Sequence, residues 1–261
     1  MRDVERALRE LGHSVKLLSF DQLECSYIHR FDLVLLRGLP YDSHAVELNS
    51  LLTCLTLYSI TINDPRAMLN ARDKFTSMKI LENKGVPVPK TFLVKSKAEL
   101  FKLLKVLDRV VLKPVSGSLG LGILDLDITA LFYSSLPPRF VAIVQERLDK
   151  VRDVRVLATR NKAIAAMYRV APLSFVSNYW MVKEADPAPV ELYEEVAVKA
   201  IRALGLHYGG VDLIETPEGP KVIEVNPSPL WEGLKKVSKR DVVKELLEDI
   251  LGDEIETGSD L

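Results

Sequence analysis

This 261-residue sequence lacks an excess of either positive or negative charge. It contains 35 Lys and Arg residues against 36 Asp and Glu residues, a formal net charge of −1. A polybasic nucleic-acid binder relies on many cationic contacts with phosphates, so this balance argues against that class and predicts no nucleic-acid partner. Hydrophobic residues make up 48% and charged residues 27%, which is typical of a globular protein.

Cysteine and long hydrophobic runs are also scarce. The two cysteines, Cys25 and Cys54, are too few for a disulfide scaffold, so we expect the protein to reside in the reducing cytoplasm. Cys54 lies in an apolar helix pattern, and we expect its side chain to be buried there as filler. The charged N-terminus has no apolar signal core. The longest apolar stretch, 51–62, is interrupted by Ser and Thr and is shorter than the roughly 20 residues of a membrane span. The sequence therefore predicts a cytoplasmic protein with no membrane partner.

Several motifs of common enzyme classes are absent. The four histidines do not have the H-E-x-x-H spacing of a zinc protease, and no G-x-S-x-G nucleophile motif occurs. Neither cysteine belongs to a C-x-x-C pair. We therefore expect structural roles for the four histidines, and these motifs give no support to a zinc protease or a serine hydrolase of the G-x-S-x-G type.

Helix-like and strand-like patterns alternate over the first 64 residues. Helices are expected at 3–11 and 45–58, and strands at 14–20, 31–36 and 59–63. This alternation predicts a parallel sheet. The usual opening strand is missing, so we expect a shortened first unit, or a start codon placed too far downstream. An unpaired sheet edge would allow a homo-oligomer.

A second pattern begins at 65 and is rich in hairpins. Helices are expected at 73–84, 96–107, 190–204 and 241–251. Strands are expected at 90–94, 109–113, 122–126, 140–146, 151–159, 163–170, 208–215 and 221–226. The chain is therefore predicted to be a mixed α/β protein.

The last predicted hairpin brings acidic side chains together. If its turn is symmetric about Glu218, Asp212 lies directly opposite Glu224, and Asn226 shares the face of Glu224. Facing carboxylates repel unless a cation lies between them. These hard oxygen ligands suit Mg²⁺ with phosphate oxygens completing its shell. An exposed acidic face is the alternative, and the rigid 226–229 segment favours the metal site.

A glycine-rich loop follows Lys113 at the end of an apolar strand. Glycines allow backbone N–H groups to surround an anion, and the lysine adds a positive charge. The order differs from the Walker loop and from the dinucleotide fingerprint. A flexible hairpin loop is an equally good interpretation of this segment alone.

A third group lies on the 151–170 hairpin. Asp153 and Arg155 are two residues apart on one strand, and Arg169 lies near the end of its partner. Two arginines beside a phosphate loop would stabilise charge during phosphoryl transfer. A surface ladder of salt bridges is the alternative, and Lys74 is unremarkable by itself.

Taken in order, these segments resemble the ATP-grasp ligases, and most of all the RimK group. The resemblance covers about residues 64–251. The matching motifs are Ala71-Arg72-Asp73-Lys74, Lys113-Pro114 with its glycine loop, Gln145-Glu146, Asp153-Val154-Arg155-Val156, Ala165-Ala166-Met167-Tyr168-Arg169, Ser177-Asn178, Gly209-Gly210-Val211-Asp212 and Glu224-Val225-Asn226-Pro227-Ser228-Pro229.

This resemblance implies an ATP-grasp fold after a shortened pre-ATP-grasp domain, with boundaries at 1–64, 65–146 and 147–261. It also implies a role for each matching residue. ATP would be bound by Lys74, Lys113, the lid residues Gly117, Ser118 and Gly120, the adenine-hinge residues Gln145 and Glu146, and Asp153 near the ribose. Two Mg²⁺ ions, with Mn²⁺ as a substitute, would be held by Asp212, Glu224 and Asn226. The reacting phosphate and acceptor would be faced by Arg155, Arg169 and Asn178.

The chemistry implied by the family joins a carboxylate to an amine. ATP phosphorylates the carboxylate of a small molecule or peptide, and an amino acid such as glutamate displaces the phosphate. One segment departs from the family pattern: 176–183 lacks the arginine before Ser177-Asn178 and the glycine pair after it. Two alternatives therefore stay open, a phosphotransferase acting on a small molecule and a non-catalytic ATP-binding regulatory protein.

Overall fold

Three β-sheets organise the computed structural model, which describes residues 1–39, 45–114, 123–170 and 184–258. The helices are α1 Arg2–Glu10, α2 Cys25–Ile28, α3 Ala45–Tyr58, α4 Pro65–Arg72, α5 Lys74–Asn83, α6 Lys97–Leu107, α7 Ile128–Tyr133, α8 Glu194–Ala203, α9 Glu232–Ser238 and α10 Val242–Gly258. The strands are β1 Leu33–Leu35, β2 Ile60–Ile62, β3 Thr91–Ser96, β4 Arg109–Pro114, β5 Leu124–Asp127, β6 Arg139–Glu146, β7 Arg152–Thr159, β8 Ala163–Val170, β9 Glu184–Pro187, β10 Tyr208–Thr216 and β11 Gly219–Asn226.

The first sheet is small and parallel. β1 pairs with β2 in parallel, which confirms the expectation from the alternating pattern. The strand expected at 14–20 is wrong, because residues 14–19 pair with no described strand and a 3₁₀ turn follows at Phe20–Gln22. The side chain of Gln22 accepts a hydrogen bond from the Ser19 N–H at 3.0 Å, so a local turn takes the place of a sheet ladder.

The filler role expected for Cys54 is also wrong. Cys25 at the start of α2 and Cys54 within α3 form a disulfide, with their Cα atoms 5.5 Å apart. They are 29 residues apart in sequence, and the packing of α2 against α3 brings them together. In the described part of the chain, no helix is long and apolar enough to cross a bilayer.

The other two sheets are antiparallel and carry the predicted site residues. One has the strand order β3-β6-β4-β5 and the other β11-β10-β7-β8-β9. The 190–204 helix is interrupted at its start, since Val190–Leu192 is a 3₁₀ turn that precedes α8. α4 and α9 are helices that the sequence patterns did not indicate.

Alternation along β7 separates the core from the candidate site. Val154, Val156 and Ala158 face one way and join a buried cluster with α4, α5 and α8. Leu157 faces the other way and packs with α9 and α10. Asp153 and Arg155 share the face of Leu157 but lie nearer the start of the strand, so the polar end of this face is left for the site.

Candidate active site

The β10–β11 hairpin places Asp212 directly opposite Glu224, as predicted. The turn is tighter than expected, because Thr216 pairs with Gly219 and only two residues lie between them. A β-bulge between Asp212 and Leu213 leaves Ile223 as an extra residue and restores the facing pair. Without this bulge, the ladder would place Ile223 opposite Asp212.

Two arginines neutralise Asp212. Arg155 lies opposite it on β7 and donates hydrogen bonds from Nε to Oδ1 and from Nη2 to Oδ2, the second at 2.8 Å. Arg169 on β8 places Nη1 at 3.3 Å from Asp212 Oδ1. Asp212 is 8% exposed and Arg155 9%, so these charges are buried as a paired cluster. Burial lowers the pKa of Arg169, and the Asp212 carboxylate opposes that shift.

Two lysines from different elements lie beside Glu224. Lys74 begins α5, which Asp73 caps by accepting a hydrogen bond from the Thr76 N–H at 2.6 Å. Lys74 Nζ is 3.2 Å from Glu224 Oε2. Lys113 comes from β4 in the other antiparallel sheet. Removal from water lowers the pKa of Lys113 to about 8, with Glu224 opposing the shift and Lys74 adding to it.

The predicted hinge residues have protein partners of their own. Gln145 is buried, and its Nε2 donates to Thr91 Oγ1 at 3.1 Å across the β3–β6 ladder. Glu146 accepts a hydrogen bond from Lys221 Nζ at 3.2 Å, which joins β6 to β11. Lys221 was missed by the sequence analysis, although it lies on the same strand as Glu224. The Lys221–Glu146 contact therefore links the two antiparallel sheets at one edge of the site.

Asp153 and Asn226 complete the set that the structure describes. Asp153 lies opposite Arg169 in the β7–β8 ladder, and Lys150 Nζ donates to its Oδ2 at 2.8 Å. Asn226 lies opposite Gly210, and its Oδ1 accepts the Ser228 N–H at 2.9 Å. The remaining predicted residues lie outside the described residues, and these are Gly117, Ser118, Gly120 and Asn178. The atypical 176–183 segment is outside them as well.

Steric crowding explains why position 210 is a glycine, which the sequence motif alone did not explain. A β-carbon at this position would lie 2.6 Å from Arg155 Nη1 and 2.8 Å from Pro229 Cβ. Both distances are too short for a real contact, so only glycine allows Arg155 to reach Asp212 past this strand. Of the two glycines before Asp212, Gly210 is therefore the one that makes room for the arginine.

The charges and oxygen donors fit a magnesium–polyphosphate ligand. Four cations, Lys74, Lys113, Arg155 and Arg169, surround two carboxylates, so this face has an excess of positive charge. Within the described ranges, no three His, Cys, Asp or Glu side chains are close enough to hold a metal ion by themselves. Two facing carboxylates and one amide oxygen are a shell that Mg²⁺ would complete with phosphate oxygens and water.

Comparison with known proteins agrees with this geometry. Residues 71–250 match the RimK-like ATP-grasp domain. The tetrahydromethanopterin:alpha-L-glutamate ligase of Methanocaldococcus jannaschii is 32% identical over 238 residues, covering 87% of this chain and 81% of the relative. A probable alpha-L-glutamate ligase of Coxiella burnetii is 31% identical over 201 residues, covering 72% of this chain and 66% of the relative.

A solved structure shows the same fold. The ATP-grasp ligase PsnB, complexed with a minimal precursor, Mg and ADP, superposes with a TM-score of 0.71 at 20% identity, covering 96% of this chain and 93% of that chain. The fold class and the enzyme class expected from the sequence are therefore confirmed. The chain belongs to the RimK-like family of ATP-grasp ligases, enzymes that depend on ATP.

Proposed function

We propose that this ligase joins an amino acid, with glutamate as the first candidate, to a carboxylate of a small molecule or peptide. The observation that carries the proposal is the face on which Lys74, Lys113, Arg155 and Arg169 surround the opposed carboxylates of Asp212 and Glu224. The two glutamate ligases described above support glutamate as the amine. Since the reaction consumes ATP, we also propose that the protein acts in the cytoplasm.

In the proposed reaction, a carboxylate oxygen of the acceptor attacks the γ-phosphorus of ATP. The bond from that phosphorus to the bridging oxygen of ADP breaks, which gives an acylphosphate and ADP. The amine nitrogen then attacks the acyl carbon, phosphate leaves, and the amine loses a proton to form the amide. Positioning and electrostatics carry these steps, so the site needs no side-chain nucleophile.

Each described residue has a place in this scheme. Lys74 and Lys113 bind ATP phosphates, while Gln145 and Glu146 lie at the adenine hinge and Asp153 at the ribose. Arg155 and Arg169 stabilise negative charge on the reacting phosphate. Asp212, Glu224 and Asn226 would hold two Mg²⁺ ions, or Mn²⁺ in their place, which supply charge neutralisation when bound. Among the described residues, the β1–β2 sheet has only two strands, so its outer edges are unpaired. We propose that one of these edges pairs with a second copy of the chain to form a homo-oligomer.

Trapping with hydroxylamine tests the reaction. The purified protein is incubated with MgATP, hydroxylamine and carboxylates of three kinds: a peptide ending in glutamate, a pterin with a glutamyl tail, and free amino acids. We expect a hydroxamate and ADP in equal amounts, because hydroxylamine takes the place of the amine. Lys113→Met should abolish both products, while Lys102→Met, on the exposed side of α6, should leave both unchanged.

Two outcomes would contradict the proposal. A stable phosphate ester, formed on a hydroxyl group of a small molecule without any amine and with no hydroxamate, would indicate a phosphotransferase. MgATP binding with no ADP release for any carboxylate would favour a non-catalytic regulatory protein.

A further inference from the structure

The residue that follows β2 holds the end of the site hairpin. Asn63 is 0% exposed. Its Nδ2 donates to the carbonyl oxygens of Tyr208 at 2.9 Å and Pro227 at 3.0 Å. Its Oδ1 accepts the N–H groups of His207 at 2.7 Å and Tyr208 at 3.1 Å. Every donor and acceptor of this amide is therefore engaged, on the start of β10 and on the residue after β11.

The segment after β1 holds the same region. Arg37 Nη2 donates to the Pro229 carbonyl oxygen at 3.0 Å. Its guanidinium carbon lies 3.9 Å from the centre of the Trp231 ring, a cation–π contact. The carboxyl ends of both strands of the small sheet thus contact the 227–231 segment.

These side-chain contacts matter because the segment cannot be held by a sheet ladder. Pro227 and Pro229 have no N–H to donate, and β11 ends at Asn226. Their carbonyl oxygens accept hydrogen bonds from Asn63 and Arg37. The N–H of Ser228, between the prolines, binds Asn226 Oδ1. The position of this segment is therefore set from the first 64 residues.

We propose that Asn63 and Arg37 are positioning residues for the metal-binding end of β11. By holding the carbonyls of Pro227 and Pro229, they fix the backbone that aims Asn226 and Glu224 at Asp212. Pro229 also packs against Gly210 beside Arg155, so a shift of the segment would disturb the arginine as well. The inference rests on the proposed metal site and extends it to residues that would never touch the metal.

Direct measurement of Mn²⁺ binding tests this role. Free Mn²⁺ is followed by electron paramagnetic resonance during titration of the protein with saturating ADP. We expect Asn63→Ala and Arg37→Met each to weaken Mn²⁺ binding about tenfold, the size of effect known for groups that orient metal ligands. ADP affinity measured in EDTA should stay at the wild-type value, because the lysines that would bind phosphate are untouched.

Matched controls remove the same two side-chain groups, an amide and a guanidinium, from exposed sites elsewhere in the protein. Asn83→Ala removes an exposed amide at the end of α5, and Arg30→Met removes an exposed guanidinium from the same unit as Arg37. Both should bind Mn²⁺ like the wild type. Asn226→Ala serves as the reference for loss of a ligand. If Asn63→Ala does not fold, as judged by circular dichroism, Arg37→Met carries the test.

The possible results are distinct. Wild-type Mn²⁺ affinity in folded Arg37→Met and Asn63→Ala, with weakened binding in Asn226→Ala, would overturn the inference and leave the proposed metal site standing. Unchanged affinity in Asn226→Ala would refute that part of the metal site and the inference together. Weakened ADP binding in EDTA would mean a general loss of structure, which also contradicts a positioning role.

Discussion

At the scale of single residues, the site combines two kinds of charge pairing. Asp212 and Arg155 are buried and share two hydrogen bonds, and the partly buried Arg169 forms an ion pair with Asp212. Glu224 and Lys74 form a more open pair, since the Glu224 side chain is 43% exposed. A buried pair costs much more to break than an exposed one, because the remaining charge is left without water. The two carboxylates should therefore respond differently to neutralisation.

Asp212→Asn should lower the free energy of unfolding by about 3 kcal/mol, since the buried Arg155 and the partly buried Arg169 lose their counter-charge. Glu224→Gln should cost less than about 1 kcal/mol, because its pair is partly hydrated. Urea denaturation of the ligand-free protein measures both. Equal losses for the two variants would contradict the assigned difference in burial.

Lys113 should give nucleotide binding a pH dependence. Its pKa in the folded protein is about 8, against an ordinary value of 10.5. The charged form that binds phosphate is therefore lost as pH rises through 8, and MgADP affinity should fall by up to about tenfold per pH unit above it. The folded state binds fewer protons than the unfolded state in this range, so stability itself should rise between about pH 8 and pH 10.5.

Calorimetric titration with MgADP from pH 7 to pH 9.5 measures this dependence. Lys113→Met should bind more weakly at pH 7 and show no decline at higher pH. A decline of equal size in this variant would assign the titration to another group.

At the scale of elements, the packing around Gly210 leaves no room for a larger side chain. Gly210→Ala should displace Arg155 from Asp212, because its β-carbon would overlap Arg155 Nη1 and Pro229. Overpacking of this kind costs about 1–3 kcal/mol. We expect a lower melting temperature and loss of ADP formation.

Gly252→Ala is the matched control for that variant. Gly252 lies on α10 with no neighbouring atom within 4 Å of the added β-carbon. Since alanine favours helix over glycine, this variant should be as stable as the wild type or more so. Wild-type melting and activity in Gly210→Ala would mean that the hairpin adjusts freely, against the packing described here.

The same elements show what sequence reasoning can reach. Alternation along β11 placed Glu224 and Asn226 on one face, and an assumed turn centred on Glu218 placed Asp212 opposite Glu224. The prediction assumed a wider turn, however, and it is the bulge at Ile223 that compensates. A bulge of this kind has no clear local signal here, so the correct pairing was predicted with an incorrect turn.

Residues that act across the fold were not predictable in this way. Asn63 and Arg37 follow short strands, and nothing in their local sequence indicates contacts with residues more than 140 positions away. Lys221 and the Cys25–Cys54 pair were missed for the same reason. Long-range contacts depend on how sheets and helices meet, which composition and periodicity do not specify.

At the scale of the whole molecule, the site forms where three parts of the chain meet. Lys113 comes from one antiparallel sheet, the carboxylates and arginines come from the other, and Lys74 begins a helix that precedes both sheets in sequence. The proposed division at 64–65 and 146–147 would place these groups in two ATP-grasp subdomains, with the N-terminal unit supporting the hairpin end. Nucleotide binding should therefore depend on both sheets at once.

Calorimetry with the non-hydrolysable analogue AMPPNP and Mg²⁺ measures whether the nucleotide binds where the two antiparallel sheets meet. We expect binding to the wild type and to Lys102→Met. The affinity should be at least about tenfold weaker in Lys113→Met and in Glu224→Gln, because each removes a charged contact from one side of the site. Wild-type affinity in both variants, with the fold intact, would mean that the nucleotide binds elsewhere on the protein.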